Sequence, residues 1–289
     1  MGRTAASPDD GESLRFAVDG DGPPILVHNG LISSVGHWRY FVPHFAARHA
    51  VVTWDYRGHG GAPAPGDPTS CTVARFASDG HAVLRAAGLA PAVVAGLSFG
   101  VQVALEHYRQ HPDDVRALVL ICGTYGHPLD RVSSSRLVRR TMADALRVFG
   151  RSGPLGRAML ALGARSPLAR EIGYLTGGAH RELCPREVLD DLFSHVAGMD
   201  PRVVGAVVAS YFEHSAADVL ADVAVPTLII AGDRDQLTPL PVAEKMHRLI
   251  RGSRLVVFPG HSHLVQVEKP AEVHAAIEDF LADLPPGAA

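Results

Sequence analysis

The stretch Ala92–Val93–Val94–Ala95–Gly96–Leu97–Ser98–Phe99–Gly100 decides the fold. An apolar run rich in valine leads straight into a serine with glycine two positions away on either side. The following residues, 101–108, read as a helix. A serine on a sharp strand-to-helix turn has its Oγ pushed out of the fold, beside free backbone N–H groups. Glycine fits the flanking positions because side chains there would clash in so tight a turn. The plain alternative is a glycine-rich turn that merely contains a serine. The strand before and the helix after favour a nucleophile.

Working outward, the chain alternates strand and helix. Upstream lie strands over 13–18, 24–28 and 50–55, a helix over 36–47 with Trp38, Phe41, Val42 and Phe45 on one face, and a helix over 72–88. Thr72 is placed to cap the latter at its start and Gly88 at its end. Residues 115–121 form another apolar run. Continuously apolar strands, rather than alternating ones, imply a parallel sheet covered on both faces. The rhythm then stops. From 125 to 217 helical patterns stand at 136–149, 154–162, 185–196 and 201–214, separated by Gly/Pro breaks. Strand and helix resume with strands at 226–232 and 255–258 and helices at 241–250 and 270–284, ended by Pro285–Pro286. The expected organisation is a flexible lead-in over 1–12, an α/β core over 13–124 and 218–289, and a helical cap inserted over 125–217. Such a cap would lie over the carboxyl ends of the strands, where open α/β sheets bind ligands.

Composition narrows the function. The 289 residues suffice for one large α/β domain, and a 47% hydrophobic content with 20% charged residues marks a globular chain. A net charge of −3 without a basic block excludes a nucleic-acid footprint. Cys71, Cys122 and Cys184 are too widely spaced for a disulfide framework, and Cys122 lies in an apolar run that predicts a buried thiol. The polar N-terminus lacks the apolar core of a signal peptide, and no run reaches the ~18 residues of a membrane span. The expected location is cytoplasmic.

A serine hydroxyl needs a base within hydrogen-bond reach and a third group to orient that base. Both should sit after later strands. Asp233–Arg234–Asp235 follows the strand ending at Gly232, and His261–Ser262–His263 follows the strand ending at Phe258. The order Ser, Asp, His suits this geometry on this kind of sheet. The developing oxyanion needs two backbone N–H donors. Phe99, after the serine, supplies one, and the loop after His28–Asn29–Gly30 should supply the other. The two histidines at 261 and 263 lack further ligands close in sequence, so no metal is expected. His28 and His59 read as structural hydrogen-bonding residues.

So assembled, the chain resembles the α/β-hydrolase fold family, in its capped, lipase- and esterase-like branch, over about residues 14–284. Gly96-Leu97-Ser98-Phe99-Gly100 matches the family's nucleophile elbow. Gly232-Asp233-Arg234-Asp235 matches its Gly-x-x-Asp, which implies Asp235 as the acid. His263 lies five residues before Glu268 and shortly before Pro270, as the family's catalytic histidine does. Asp55-Tyr56-Arg57-Gly58-His59-Gly60 matches a structural loop of the family. The usual His-Gly-x is altered here to His28-Asn29-Gly30-Leu31; alignment on Trp38 makes Leu31 the second donor, with Gly30 the alternative. Val101 replaces a glycine common in relatives.

The resemblance implies hydrolysis of a carboxylic ester or related acyl bond of a small to medium, largely apolar molecule, without a cofactor. Lactonase, thioesterase, C–C bond hydrolase and acyltransferase chemistry use the same triad, and some members of this fold act as ligand receptors. A serine at the elbow argues against relatives that use aspartate there. Gly30, Tyr125, Phe193, Tyr211, Leu237 and Leu264 are the candidate substrate contacts; His127, His195, Met199 and Phe212 compete with them, cap packing being the alternative for the aromatic and histidine positions. Both monomers and homodimers occur with this fold.

Overall fold

The computed structural model describes residues 3–128 and 136–285. Residues 1–2 of the expected lead-in, 129–135 of the expected insertion, and 286–289, which include Pro286, lie outside the described residues. Eight strands form one sheet: β1 (Arg3–Ala6), β2 (Ser13–Asp19), β3 (Pro24–His28), β4 (Ala50–Trp54), β5 (Ala92–Leu97), β6 (Val115–Ile121), β7 (Thr227–Gly232) and β8 (Arg254–Phe258). Their order is β1-β2-β4-β3-β5-β6-β7-β8. The β1/β2 and β2/β4 pairs are antiparallel and the other pairs parallel. The chain runs from β3 to β4 on one side and then returns past β3 to β5. That reversal opens a crevice at the carboxyl ends of β3 and β5, where His28 is in register with Gly96.

Alternate residues of the central strands face opposite sides, as the two-residue period requires. Leu26, Val94, Leu118 and Leu120 pack into one apolar layer with α2 (Val73–Ala87), α3 (Phe99–Gln110) and α9 (Leu240–Leu249). Val27, Val93, Ala95 and Val119 pack into the other with α1 (Phe41–Phe45) and α10 (Pro270–Ala282), through Phe45, Val273, Ile277 and Phe280. All six residues of β5 are buried. Thr72 caps α2 by accepting the Arg75 N–H at 3.2 Å, and Gly88 ends it in the left-handed region at φ 74°.

Between β6 and β7 lie helices α4 (Arg136–Gly150), α5 (Gly153–Arg165), α6 (Pro167–Leu175), α7 (Arg186–Gly198) and α8 (Pro201–Glu213). Helix α6 goes unread in the sequence, where Ser166–Pro167 looks like a break. Ser166 instead accepts the Leu168 N–H at 3.2 Å as an N-cap, with Pro167 in the first turn. The helix expected over 36–47 is split into a 3-10 turn (Val35–Trp38) and α1. Pro43 cannot bond back to the carbonyl of Arg39, so a continuous helix through both is not available.

The flexible lead-in expected over 1–12 is corrected by the fold. Residues 3–6 form β1 on the edge of the sheet, and the turn after them is tied down by charge. Arg57 donates from Nε and Nη2 to the two oxygens of Asp79 at 2.9 and 2.8 Å. The same guanidinium reaches Asp10 at 2.6 Å and Ser7 Oγ at 3.0 Å. Burial lifts the Asp79 carboxyl above the ordinary range, and the bonds from Arg57 and Ser7 oppose that shift. A four-residue polar strand carries no apolar alternation, and its partners lie far along the chain. Among the described residues, no helix is long and apolar enough to cross a membrane.

Candidate active site

Ser98 sits between β5 and α3 with φ 56° and ψ −115°. A non-glycine residue there is strained, and such strain persists only where the surroundings enforce it. They do so here. A Cβ on Gly96 would lie 2.3 Å from the Gly100 carbonyl oxygen, and one on Gly100 would lie 2.3 Å from that of His28. The Ser98 N–H is taken by the Ile121 carbonyl at 2.9 Å. The first N–H of α3, at Phe99, has no partner within the helix and points with the positive end of the helix dipole. Val101 is accommodated by Gly123, where a Cβ would meet Val101 Cγ2 at 2.2 Å.

Opposite, the Asn29 side chain donates to the Trp54 carbonyl at 2.8 Å and accepts from the Trp38 indole at 3.0 Å. The Asn29 carbonyl accepts the Tyr56 hydroxyl at 3.0 Å. These bonds hold the segment Gly30–Leu31 beside the elbow; a Cβ on Gly30 would be 3.7 Å from Ser98 Cβ. The altered motif thus supplies its own scaffold through the asparagine amide.

Asp235 and His263 meet after β7 and β8. His263 Nδ1 lies 2.7 Å from Asp235 Oδ2. The other carboxylate oxygen accepts the Leu237 and Thr238 N–H groups, each at 2.8 Å, and the Thr238 hydroxyl donates to Oδ2 at 2.6 Å. Asp235 and His263 are 3% and 7% exposed, so water does not compete for this bond. Asp233 instead accepts the Gly260 N–H at 2.7 Å and shapes the turn. His261 faces Glu268, 3.3 Å away, while Glu268 also accepts the Ser262 and His180 N–H groups at 3.0 and 2.8 Å. The two histidines therefore serve two different acids, and Glu268 fastens the His263 loop to the segment between α6 and α7. The His263 N–H adds a bond to the Gly177 carbonyl at 2.9 Å.

Ser98 and His263 both open into one cavity of about 750 Å³. Gly30, Leu31, Phe193, Tyr211, Leu237 and Leu264 line it. Tyr125 does not: its ring lies under Lys245 Nζ at 5.0 Å and packs against the core. The chain turns this ring toward α9 instead. Met199 is likewise buried in the core, whereas Phe212 lines the cavity. Sequence reasoning passed over His37 and Thr238. His37 lines the cavity and is pushed down to about 4 by burial, with further opposition from the His263, Arg39 and His195 charges. Met159 and Ile172, from α5 and α6, also line it. No local pattern marks these positions, because only packing brings them to the cavity.

His28 and His59 hold structural contacts. His28 Nε2 lies 3.2 Å from His107 Nδ1, and His59 Nδ1 lies 3.0 Å from the Arg57 carbonyl. Burial pushes His28 down to about 3 and His59 down to about 4. In the unfolded chain each titrates near ~6.5. Below that pH the unfolded chain binds protons that the folded chain refuses, so stability falls as pH drops. The expected result is a urea midpoint that holds above pH ~7 and declines from ~6.5 toward ~4, at roughly 1.4 kcal/mol per pH unit for each ring. A midpoint unmoved across that window overturns the reading. The three cysteines are buried, and burial raises each thiol, which leaves them unreactive.

Known proteins of similar sequence and shape agree on the family. Residues 25–276 match the alpha/beta hydrolase family. The pimeloyl-[acyl-carrier protein] methyl ester esterase of Methylococcus capsulatus is 30% identical over 282 residues, covering 93% of this chain and 98% of its own. Epoxide hydrolase 3 of Xenopus tropicalis is 24% identical, covering 95% of this chain and 76% of its own. The thermophilic esterase of Thermogutta terrifontis superposes with a TM-score of 0.79 at 23% identity, covering 98% of this chain and 99% of its own. The chain belongs to the alpha/beta hydrolase family.

Proposed function

We propose that the protein is a serine hydrolase of carboxylic esters with a small to medium, largely apolar acyl or aryl group. The observation that carries this reading is a single apolar cavity with Ser98 and His263 in its wall and Asp235 bonded to the far side of the His263 ring. Helices α4–α8 act as the cap, and α5–α8 supply much of the apolar lining.

The reaction follows from these positions. Ser98 Oγ attacks the acyl carbon as its proton passes to His263 Nε2. Asp235 holds Nδ1–H and stabilises the imidazolium. The N–H groups of Phe99 and Leu31 meet the developing oxyanion. The C–O bond to the alcohol breaks as His263 returns the proton to that oxygen. Water, deprotonated by the same ring, then cleaves the acyl-enzyme and releases the acid. A neutral His37 in the cavity wall can donate or accept one hydrogen bond to a polar substituent of the substrate.

A fluorophosphonate probe with peptide mapping and a p-nitrophenyl ester series of rising acyl length test this. Labelling at Ser98 and turnover peaking at medium acyl length are expected. Labelling with negligible turnover at every length would point to a ligand receptor and overturn the enzymatic reading.

A further inference from the structure

We propose that His81, His107 and Asp114 form a binding site for a borderline divalent transition cation of the Zn2+ class, between α2, α3 and the turn before β6. His81 lies in α2, His107 in α3, and Asp114 in the 3-10 turn Pro112–Asp114 that precedes β6. One donor atom from each residue lies within 4.8 Å of the other two. A tetrahedral Zn2+ with bonds of ~2.0–2.1 Å needs donors roughly 3.3 Å apart, so small side-chain rotations complete the geometry. Two imidazoles and a carboxylate, with water in the fourth position, are a donor set that suits this class of ion.

An independent observation points to a ligand. His107 is fully buried, and its Nε2 has no hydrogen-bond partner among the described residues. Leaving a buried polar atom unpaired is costly, so a partner is expected there. Its other nitrogen, Nδ1, already faces His28 Nε2 at 3.2 Å, so Nε2 is the atom left for a metal. Metal-bound histidines characteristically donate their second N–H to an outer partner. His28 supplies that acceptor. The fold makes room for the ring pair: a Cβ on Gly80 would lie 2.6 Å from His28 Cε1.

The outer side of the site is equally shaped. His81 contacts Asp114 directly, and its side chain is 27% exposed, which gives an ion a path in. His111, one helical turn beyond His107, stacks on His81 with centroids 3.6 Å apart and a 10° tilt, and fixes that ring. Arg85 stands 3.9 Å from the second oxygen of Asp114 and balances its charge. An ion here would clamp α2 and α3 together. Through His107 and His28 it would also brace the end of β3, from which the Asn29–Leu31 segment departs.

The test uses the untagged full chain, stripped with chelator. Zn2+ is titrated by calorimetry, Co2+ by visible absorption, and thermal unfolding is followed with and without Zn2+. One equivalent of Zn2+, a Co2+ band typical of four or five ligands, and a raised Tm are expected. His81→Ala and the near-isosteric Asp114→Asn, each checked for fold by circular dichroism, should weaken binding by at least about tenfold. Absence of binding to the folded wild type overturns the site. So does wild-type affinity in both variants, which would place the ion elsewhere.

Discussion

Ser98→Ala should abolish ester turnover, with a loss in kcat of at least about 10⁴-fold, while the fold survives. The alanine keeps the Cβ that the elbow already tolerates at φ 56°, and the Ser98 N–H still bonds to the Ile121 carbonyl. Only the Oγ is lost, so the variant should unfold with the wild-type midpoint. Asp235→Asn should fall by a similar factor for a different reason. The amide oxygen can still accept from the Leu237 and Thr238 N–H groups, but an NH₂ then faces His263 Nδ1 where Oδ2 stood. The ring is driven to the wrong tautomer and cannot take the serine proton. Comparing kcat for the two variants and for the double variant checks the idea. Residues acting as a unit give a double loss no larger than the single ones. Substantial ester turnover by Ser98→Ala would remove the serine from the chemistry.

Arg57→Ala should destabilise the fold by about 3–5 kcal/mol, the largest effect on stability expected of a single change. Asp79 is fully buried and receives two bonds from the guanidinium and one from the Ser7 hydroxyl. Removing the arginine leaves a carboxylate without its counter-charge and releases Asp10 and Ser7, which anchor the turn after β1. Lysine should not rescue, because a single ammonium cannot reproduce the forked contact. Asp79→Ala in the Arg57→Ala background should recover part of the loss, since the unpaired buried charge is then gone. Urea unfolding of the three variants reads this out. A loss below about 1 kcal/mol for Arg57→Ala, the range of an exposed pair, would mean that water reaches the site.

Much of the architecture is legible because it is local. The apolar runs at β3, β5, β6 and β7 state their own burial, and two faces buried at once leave no polar alternation to hide them. Thr72 and Gly88 mark the ends of α2 by chemistry that acts within one turn. The elbow is readable for the same reason: glycines at 96 and 100 answer backbone clashes within five residues and with the adjacent β3 end. Helix α6 is hidden in the sequence because Ser166–Pro167 reads as a break as easily as a start signal. The 3-10 turn and α1 read as one helix because an apolar period continues across Pro43, while the backbone cannot.

By itself, the amino-acid sequence determined a mostly parallel sheet interrupted by helices, and an elbow serine followed in order by candidate acids and histidines. Those features depend on residue type and short spacing. The tertiary structure alone decided which atoms meet. It set Asp235 against His263 and gave Asp233 to Gly260, joined His28 to His107 across 79 positions, and tied residues 7 and 10 to Arg57. It also turned Tyr125 to Lys245 and brought Met159 and Ile172 to the cavity. The physical reason is common to all of these. Local energies choose strand, helix and turn, whereas contacts between distant residues are chosen by how the buried faces pack, and packing is a property of the whole chain.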